Sequence, residues 1–322
     1  MPAWAAWAAG FGGTAAAAVS LTANPEIVAA IDSVSESFSS PVVLEQFFRR
    51  RRSVLKFFAA NLARRRRKIA ARCAWVTDDW SYGYFHWLSD ALPRLFAIRE
   101  HLGELVLLLP HRYEGLEFVQ SSLKLFGARR VEYIRAGETC VCERLVMPTH
   151  AAPSGNYNEA LMREMRGLIL DHFDARQAAP RERIYLSRSR APKRKVRNED
   201  EVVAVLDEFG FRVMHFEDYP FGRQVEIAAG ASHFVSNHGA GLTNILFMRP
   251  GGSVLELRRS GERERERNCF FNLANAAGLD YYYQTCAPAN PGEDPHTSDL
   301  VVDLRALREN LSLMLGSEVV GA

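Results

Sequence analysis

One feature limits this chain more than any other. After residue 75, short runs rich in Val, Ile, Leu and Phe alternate with longer stretches of helical periodicity. Parallel strands cannot be joined by tight turns, so such an alternation builds sheets whose crossovers are helices. The expected class is α/β, and the runs group into two units.

In the first unit, residues 104–110 (ELVLLLP) and 144–149 (RLVMPT) read as buried strands, with helices near 84–101, 115–126 and 158–173. Residues 177–180 read as a hinge. The second unit runs through 183–187 (RIYLS), 211–216 (FRVMHF), 233–237 (HFVSN), 253–257 (SVLEL) and 281–284, with helical patterns between them and a closing helix at 304–315. The resulting division is an N-terminal arm with a basic amphipathic helix (1–75), a first α/β domain (76–176), a second (177–290) and a C-terminal linker with its helix (291–322). In sheets of this kind ligands bind outside the carboxyl ends of the strands, so the residues directly after those runs are the first to inspect.

A chain of 322 residues with 48% hydrophobic and 24% charged residues is neither disordered nor a multi-span membrane protein. Net charge is +2, but Arg49–Arg72 holds eleven basic and no acidic residues, leaving an acidic remainder. This argues against a protein that coats nucleic acid with its whole surface, and no nucleic acid partner is expected. The phenylalanines between the arginine blocks make 42–75 a candidate basic amphipathic helix for peripheral contact with an anionic membrane, or else a solvated face. The alanine-rich start, interrupted by Gly10, Gly12 and Gly13 and preceded by no basic residues, reads as an arm and not as a signal peptide or anchor. The expected location is cytoplasmic, peripheral at the inner face of the membrane.

Five cysteines, an odd number without a dense framework, read as reduced thiols. Cys140 and Cys142 have the spacing of a ligand pair, but a structural zinc site needs four ligands and no second pair follows. No metal site is expected.

Directly after HFVSN comes His238-Gly239-Ala240-Gly241-Leu242-Thr243-Asn244. Small residues let backbone approach a phosphate, and the N–H groups and dipole of a new helix favour negative charge there. Arg188, Arg190, Lys193, Arg194, Lys195 and Arg197 follow the strand RIYLS and so lie on the same sheet edge. Arginine forks match phosphate oxygens, and Arg188 and Arg194 are the favoured pair. Glu256, within SVLEL, needs a partner in apolar surroundings: either a ligand ribose diol or an internal arginine.

In the first unit, YFHWLSDALPRL sets His86 and Asp90 four residues apart, on one face of a helix that Pro93 should end or kink. A carboxylate can orient an imidazole there, or either group can take a proton from a bound hydroxyl.

Taken in order, YFHWLSDALPRL, YLSRSRAPKRKVRNEDE, Gln224 and HFVSNHGAGLTNILFMRPGGSVLEL resemble glycosyltransferase family 61 over roughly residues 75–258. The resemblance implies a GT-B architecture, two facing Rossmann-like domains with a nucleotide-sugar donor on the second, UDP being the expected nucleotide. It further implies an inverting, metal-independent transfer to a glycan, glycolipid or protein-linked acceptor, as in capsular polysaccharide synthesis, with no cofactor. The sequence has no Asp-x-Asp triplet. Donor recognition then falls on Arg188, Arg194, His238, Gly239, Ala240, Gly241, Asn244 and Glu256, and the base on Asp90 or His86, with Asp90 preferred because a carboxylate is ionised at neutral pH. The rival readings are a binding module for RNA or anionic lipid built on the basic segment, and a nucleotide-sugar hydrolase or epimerase of the same fold.

Overall fold

The computed structural model describes residues 18–21, 65–261, 268–290, 292–294 and 297–316. They fall in two compact units, Met1–Ala151 and Ala152–Ala322. Each is an α/β unit around one mostly parallel sheet.

The first sheet contains β1 (Ala18–Leu21), β2 (Arg65–Ala74), β3 (Val106–Pro110), β4 (Val131–Ile134) and β5 (Glu138–Pro148), in the order β1-β5-β2-β3-β4. Only β1 runs antiparallel to its neighbour. Buried Ile69, Cys73, Trp75, Val106, Leu108, Cys140, Leu145 and Met147 share one core.

β2 corrects the sequence reading. Residues 65–74 of the segment expected as a basic amphipathic helix, RRRKIAARCA, are a strand at the middle of the sheet. Their burial alternates: Ile69 and Cys73 enter the core while Arg66, Lys68 and Arg72 stay on or near the surface. The pleat lets a strongly basic segment remain in a sheet, because every second side chain can reach water or a carboxylate. Arg67, on the inward set, ion-pairs with Glu132 of β4. Residues 42–64 of that segment lie outside the described residues.

Between β2 and β3 the helical stretch is built from four pieces: a single α-turn Tyr84–His86, a π-turn Trp87–Ala91, α1 (Leu92–Ala97) and a 3-10 turn Arg99–His101. Pro93 stands in the first turn of α1, and the widened turn ahead of it accommodates a ring that would clash inside a regular helix. α2 (Glu117–Leu125) leads from β3 to β4.

The second unit opens with α3 (Glu159–His172), capped by Asn158 Oδ1 accepting from the Leu161 N–H at 3.1 Å. The division between units therefore lies ahead of α3, and the stretch 177–180, read as the hinge, is the lead-in to a strand of the second unit. That sheet has the order β11-β10-β9-β8-β6-β7, from β6 (Glu182–Leu186), β7 (Arg212–Met214), β8 (Ala231–Asn237), β9 (Ser253–Arg259), β10 (Asp280–Pro288) and β11 (Leu300–Val301). All pairings are parallel except β10 with β11. The crossovers are α4 (Glu199–Glu208), α5 (Phe221–Ala229), a 3-10 helix Ala240–Phe247 and α6 (Cys269–Ala277), and α7 (Leu304–Leu315) closes the unit. Among the described residues no helix is long and apolar enough to cross a membrane.

Candidate active site

The second unit brings its predicted residues together at the carboxyl edge of its sheet. β6 and β8 are parallel neighbours, so the segments that leave them, starting at Ser187 and His238, emerge side by side. Ser236 Oγ ties the strands by donating to the Leu186 carbonyl at 2.8 Å.

Arg188 lies directly over Gly239. A Cβ built at Gly239 would stand 2.7 Å from the guanidinium carbon, closer than any side chain can sit. Gly241 is needed for a different contact, its built Cβ falling 2.7 Å from Leu186 Cδ2. The glycines thus serve close approach, one to a guanidinium and one to the strand core. Gly239 caps the helix Ala240–Phe247, whose first turn precedes its own carbonyl acceptors; Leu242 N–H is the first to turn back, onto Gly239 O at 2.9 Å.

Arg188 is pushed down to about 10, by burial first and then by the adjacent charge of Arg194, with Glu217 acting the other way. Two neighbouring guanidinium groups at one strand end form a pocket of positive potential that an oxyanion relieves. Its Nε is buried without a hydrogen-bond partner among the described residues, while Nη2 reaches the Lys193 carbonyl at 3.3 Å. Arg194 adopts a left-handed backbone at φ 59°, and its carbonyl accepts from Asn237 Nδ2, which straps the basic loop to β8. Of the remaining cations, Arg190 pairs with Asp218 and Arg197 with Asp299. They are neutralised on the surface.

Glu256 is fully buried in β9, and the structure gives it the internal partners. Oε1 faces His238 Nδ1 at 2.5 Å; Oε2 accepts from Arg258 Nε at 3.1 Å and from the Tyr281 hydroxyl. Burial would raise this carboxyl, but His238, Arg258 and Tyr281 together hold it below the ordinary glutamate range. Of the two partners the sequence left open for Glu256, the internal arginine is present, joined by His238 and Tyr281. His238 keeps 16% of its side chain exposed, and Phe270 closes one side of the imidazole edge-on at 5.0 Å. Asn244 is likewise buried, its Nδ2 donating to Gly241 O at 2.9 Å, so it shapes the loop from beneath. Ala240 lies in the first turn, half-buried.

The first unit has its own cluster at the carboxyl edge. His86 Nδ1 and Asp90 Oδ2 are 2.7 Å apart across the π-turn, with 28% of the His86 and 3% of the Asp90 side chain exposed. Beside them Arg94 is almost wholly buried, donating from Nε to Pro148 O at 2.8 Å and from Nη1 to Val76 O at 2.7 Å. It thereby bridges the ends of β5 and β2. Burial pulls Arg94 down to about 10, against the charges of Asp78 and Asp90. Asp78 has His150 Nε2 3.2 Å from Oδ2 and takes three hydrogen bonds on Oδ1, from the Trp80 and Ser81 amides and the Ser81 hydroxyl. Burial opposes its charge, yet these partners hold it well below the usual carboxylate range.

Arg94, Asp78, His150, Arg258, Tyr281 and Phe270 were not singled out from sequence. Arg258 alone left a signal, since two residues along a strand from Glu256 it shares that face.

Residues 84–255 match the model of the family described as Glycosyltransferase 61. Among curated proteins, the chain is 32% identical over 133 residues to the EGF domain-specific O-linked N-acetylglucosamine transferase of Drosophila melanogaster, covering 39% of this chain and 25% of that protein. It is 33% identical over 116 residues to protein O-linked-mannose beta-1,4-N-acetylglucosaminyltransferase 2 of Takifugu rubripes, covering 35% and 20%. The mouse EGF domain-specific transferase is 31% identical over 136 residues, covering 40% and 25%. The similarity spans about a quarter or less of the length of these relatives.

Proposed function

Since the chain belongs to glycosyltransferase family 61, we propose that it moves a sugar from a nucleotide diphosphate-sugar, a UDP-sugar first, to a hydroxyl of a glycan, glycolipid or protein-linked acceptor. The reading includes a GT-B arrangement, inversion at the anomeric carbon, no metal, and a setting in cell-surface polysaccharide synthesis on the cytoplasmic side. The single observation that carries it is the seat of Arg188 over Gly239, at the head of a helix and beside a histidine backed by a buried carboxylate.

Inverting transfer breaks the bond between the anomeric carbon and the diphosphate while an acceptor oxygen attacks from the opposite face. Charge accumulates on the departing diphosphate and a proton leaves the acceptor. Arg188 and Arg194 supply fixed positive charge to the diphosphate, and the N–H groups of the 239–241 turn supply donors that need no reorganisation. His238 adds a contact from Nε2. Glu256 against Nδ1 holds the ring in place for that contact.

The base is assigned to the His86–Asp90 pair. The exposures reorder its members: the carboxylate preferred from sequence is enclosed, whereas the imidazole has the more accessible side chain. His86 then accepts the proton and Asp90 holds its tautomer and balances the charge, an arrangement known from nucleophile-activating dyads.

Thermal denaturation with UDP, GDP, CDP and their sugars tests the donor reading. A nucleotide present at a hundredfold its Kd adds ~2.7 kcal/mol of stability. A shift for one base in the wild type, lost in Arg188→Ala, is the expected result; a shift unaffected by Arg188→Ala, or none with any nucleotide, would sink the assignment.

A further inference from the structure

We infer that the second unit carries another anion site, formed by Arg166, Arg176 and Arg249 at the amino edge of its sheet, which takes a phosphate-type dianion. Arg176 lies in the segment that leads into β6 and Arg249 in the segment that leads into β9, while Arg166 projects from α3. Arg188 and His238 follow the carboxyl ends of β6 and β8, so the two groups occupy opposite edges of one sheet.

The arginines line a cavity of about 400 Å³ that also has Leu170 and Phe247 in its wall. Each guanidinium has a protein partner that holds it at the cavity, Arg166 from within and Arg176 at the solvent side. Arg166 Nη2 donates to the Met248 carbonyl, Arg249 Nη2 donates to the Arg176 carbonyl, and Arg176 grips Asp171 in a two-point pair. Asp171 satisfies Arg176 alone. Burial first, and then the like charges of Arg176 and Arg249, bring Arg166 down to about 10. Its Nε is closed off from solvent with no acceptor among the described residues.

Three cations held around one cavity, with a carboxylate partner for only one of them, match an anion with several oxygens. A carboxylate occupies one arginine fork, whereas a tetrahedral phosphate presents oxygens to two or three at once. The apolar wall admits either a free phosphate or pyrophosphate or the headgroup of an anionic phospholipid. The inference stands apart from sugar transfer, and the test is arranged so that either can fail alone.

Calorimetric titration of full-length Arg188→Ala with inorganic pyrophosphate removes the first anion contact and leaves the second. One binding event is expected to persist in Arg188→Ala and to weaken about tenfold or more when Arg166→Gln and Arg249→Gln are added, each change deleting a charged hydrogen-bond donor set. Flotation with phosphatidylcholine vesicles, with and without phosphatidic acid, separates the sources. Capture by phosphatidic acid that depends on Arg166 and Arg249 assigns the lipid headgroup, and pyrophosphate binding without such capture assigns the free anion. Should the double substitution unfold the protein, Arg249→Lys keeps the charge and removes the fork, and it must still weaken binding. Absence of binding in Arg188→Ala to both pyrophosphate and phosphatidic acid, or binding indifferent to Arg166 and Arg249, would overturn the inference.

Discussion

The guanidinium of Arg188 fills the space that any side chain at Gly239 would need. Gly239 itself is extended, at φ 172°, a backbone conformation open to every residue. The requirement for glycine here is thus one of room for a cation. Gly239→Ala should fold normally and lose nucleotide affinity by about tenfold or more, the worth of a displaced charged contact. Titration calorimetry with UDP, beside a thermal melt as a folding control, measures both. Unchanged affinity in a folded Gly239→Ala would show that Arg188 does not hold the diphosphate.

Glu256 carries the charge balance beneath that site. Replacing it with alanine leaves Arg258 buried without its carboxylate, so a loss of ~3–5 kcal/mol is expected, against a smaller loss for Glu256→Gln, which keeps a hydrogen-bond acceptor. Urea denaturation measures the difference. The pH dependence has a definite sign. Because its folded value lies below its unfolded one, the carboxylate contributes its full stability above the ordinary glutamate value of ~4.3 and loses it as pH falls through the lower folded value. Wild-type stability should decline on acidification below that point more steeply than that of Glu256→Gln.

The parts of this site that were legible in the sequence are those written contiguously. HFVSN followed by HGAG declares a buried strand, a close approach and a helix start within a dozen letters, and RIYLS followed by RSR places the arginines on the same edge through the rule of parallel sheets. Partnerships set by register were not legible. Tyr281 reaches Glu256 because β10 lies beside β9 with Tyr283 opposite Glu256, and Asp78 meets His150 because β2 and β5 end together. Neither pairing has a local signature. β2 was misread for another reason: two four-arginine blocks among phenylalanines imitate an amphipathic helix, and the period of two survives only in Ile69 and Cys73. β4 and β11, four and two residues long, are too short to display a period at all.

Arg94 should be the most sensitive position of the first unit. It satisfies the carbonyls of Val76 and Pro148 and provides the positive charge between Asp78 and Asp90. Arg94→Met preserves most of the volume but orphans both carbonyls and leaves the aspartates without their buried counter-charge. A loss of ~3–5 kcal/mol is expected, and Arg94→Lys should recover only part of it because an ammonium lacks the planar fork. Denaturant melts of the three proteins provide the comparison; a folded Arg94→Met of wild-type stability would remove Arg94 as the bridge.

The His86–Asp90 contact permits a sharper test than either residue alone. If His86 takes the proton and Asp90 orients it, His86→Gln and Asp90→Asn should each lower kcat by ~10²–10⁴-fold while leaving nucleotide affinity and donor KM unchanged. The two act as a unit, so the double variant should be no slower than the slower single one. Independent roles, such as a carboxylate base with a histidine that binds the acceptor, would instead multiply, and the histidine change would appear in acceptor KM. Single-turnover kinetics with saturating donor separate these outcomes: multiplicative losses reject the dyad, and full turnover in His86→Gln rejects His86 as the base.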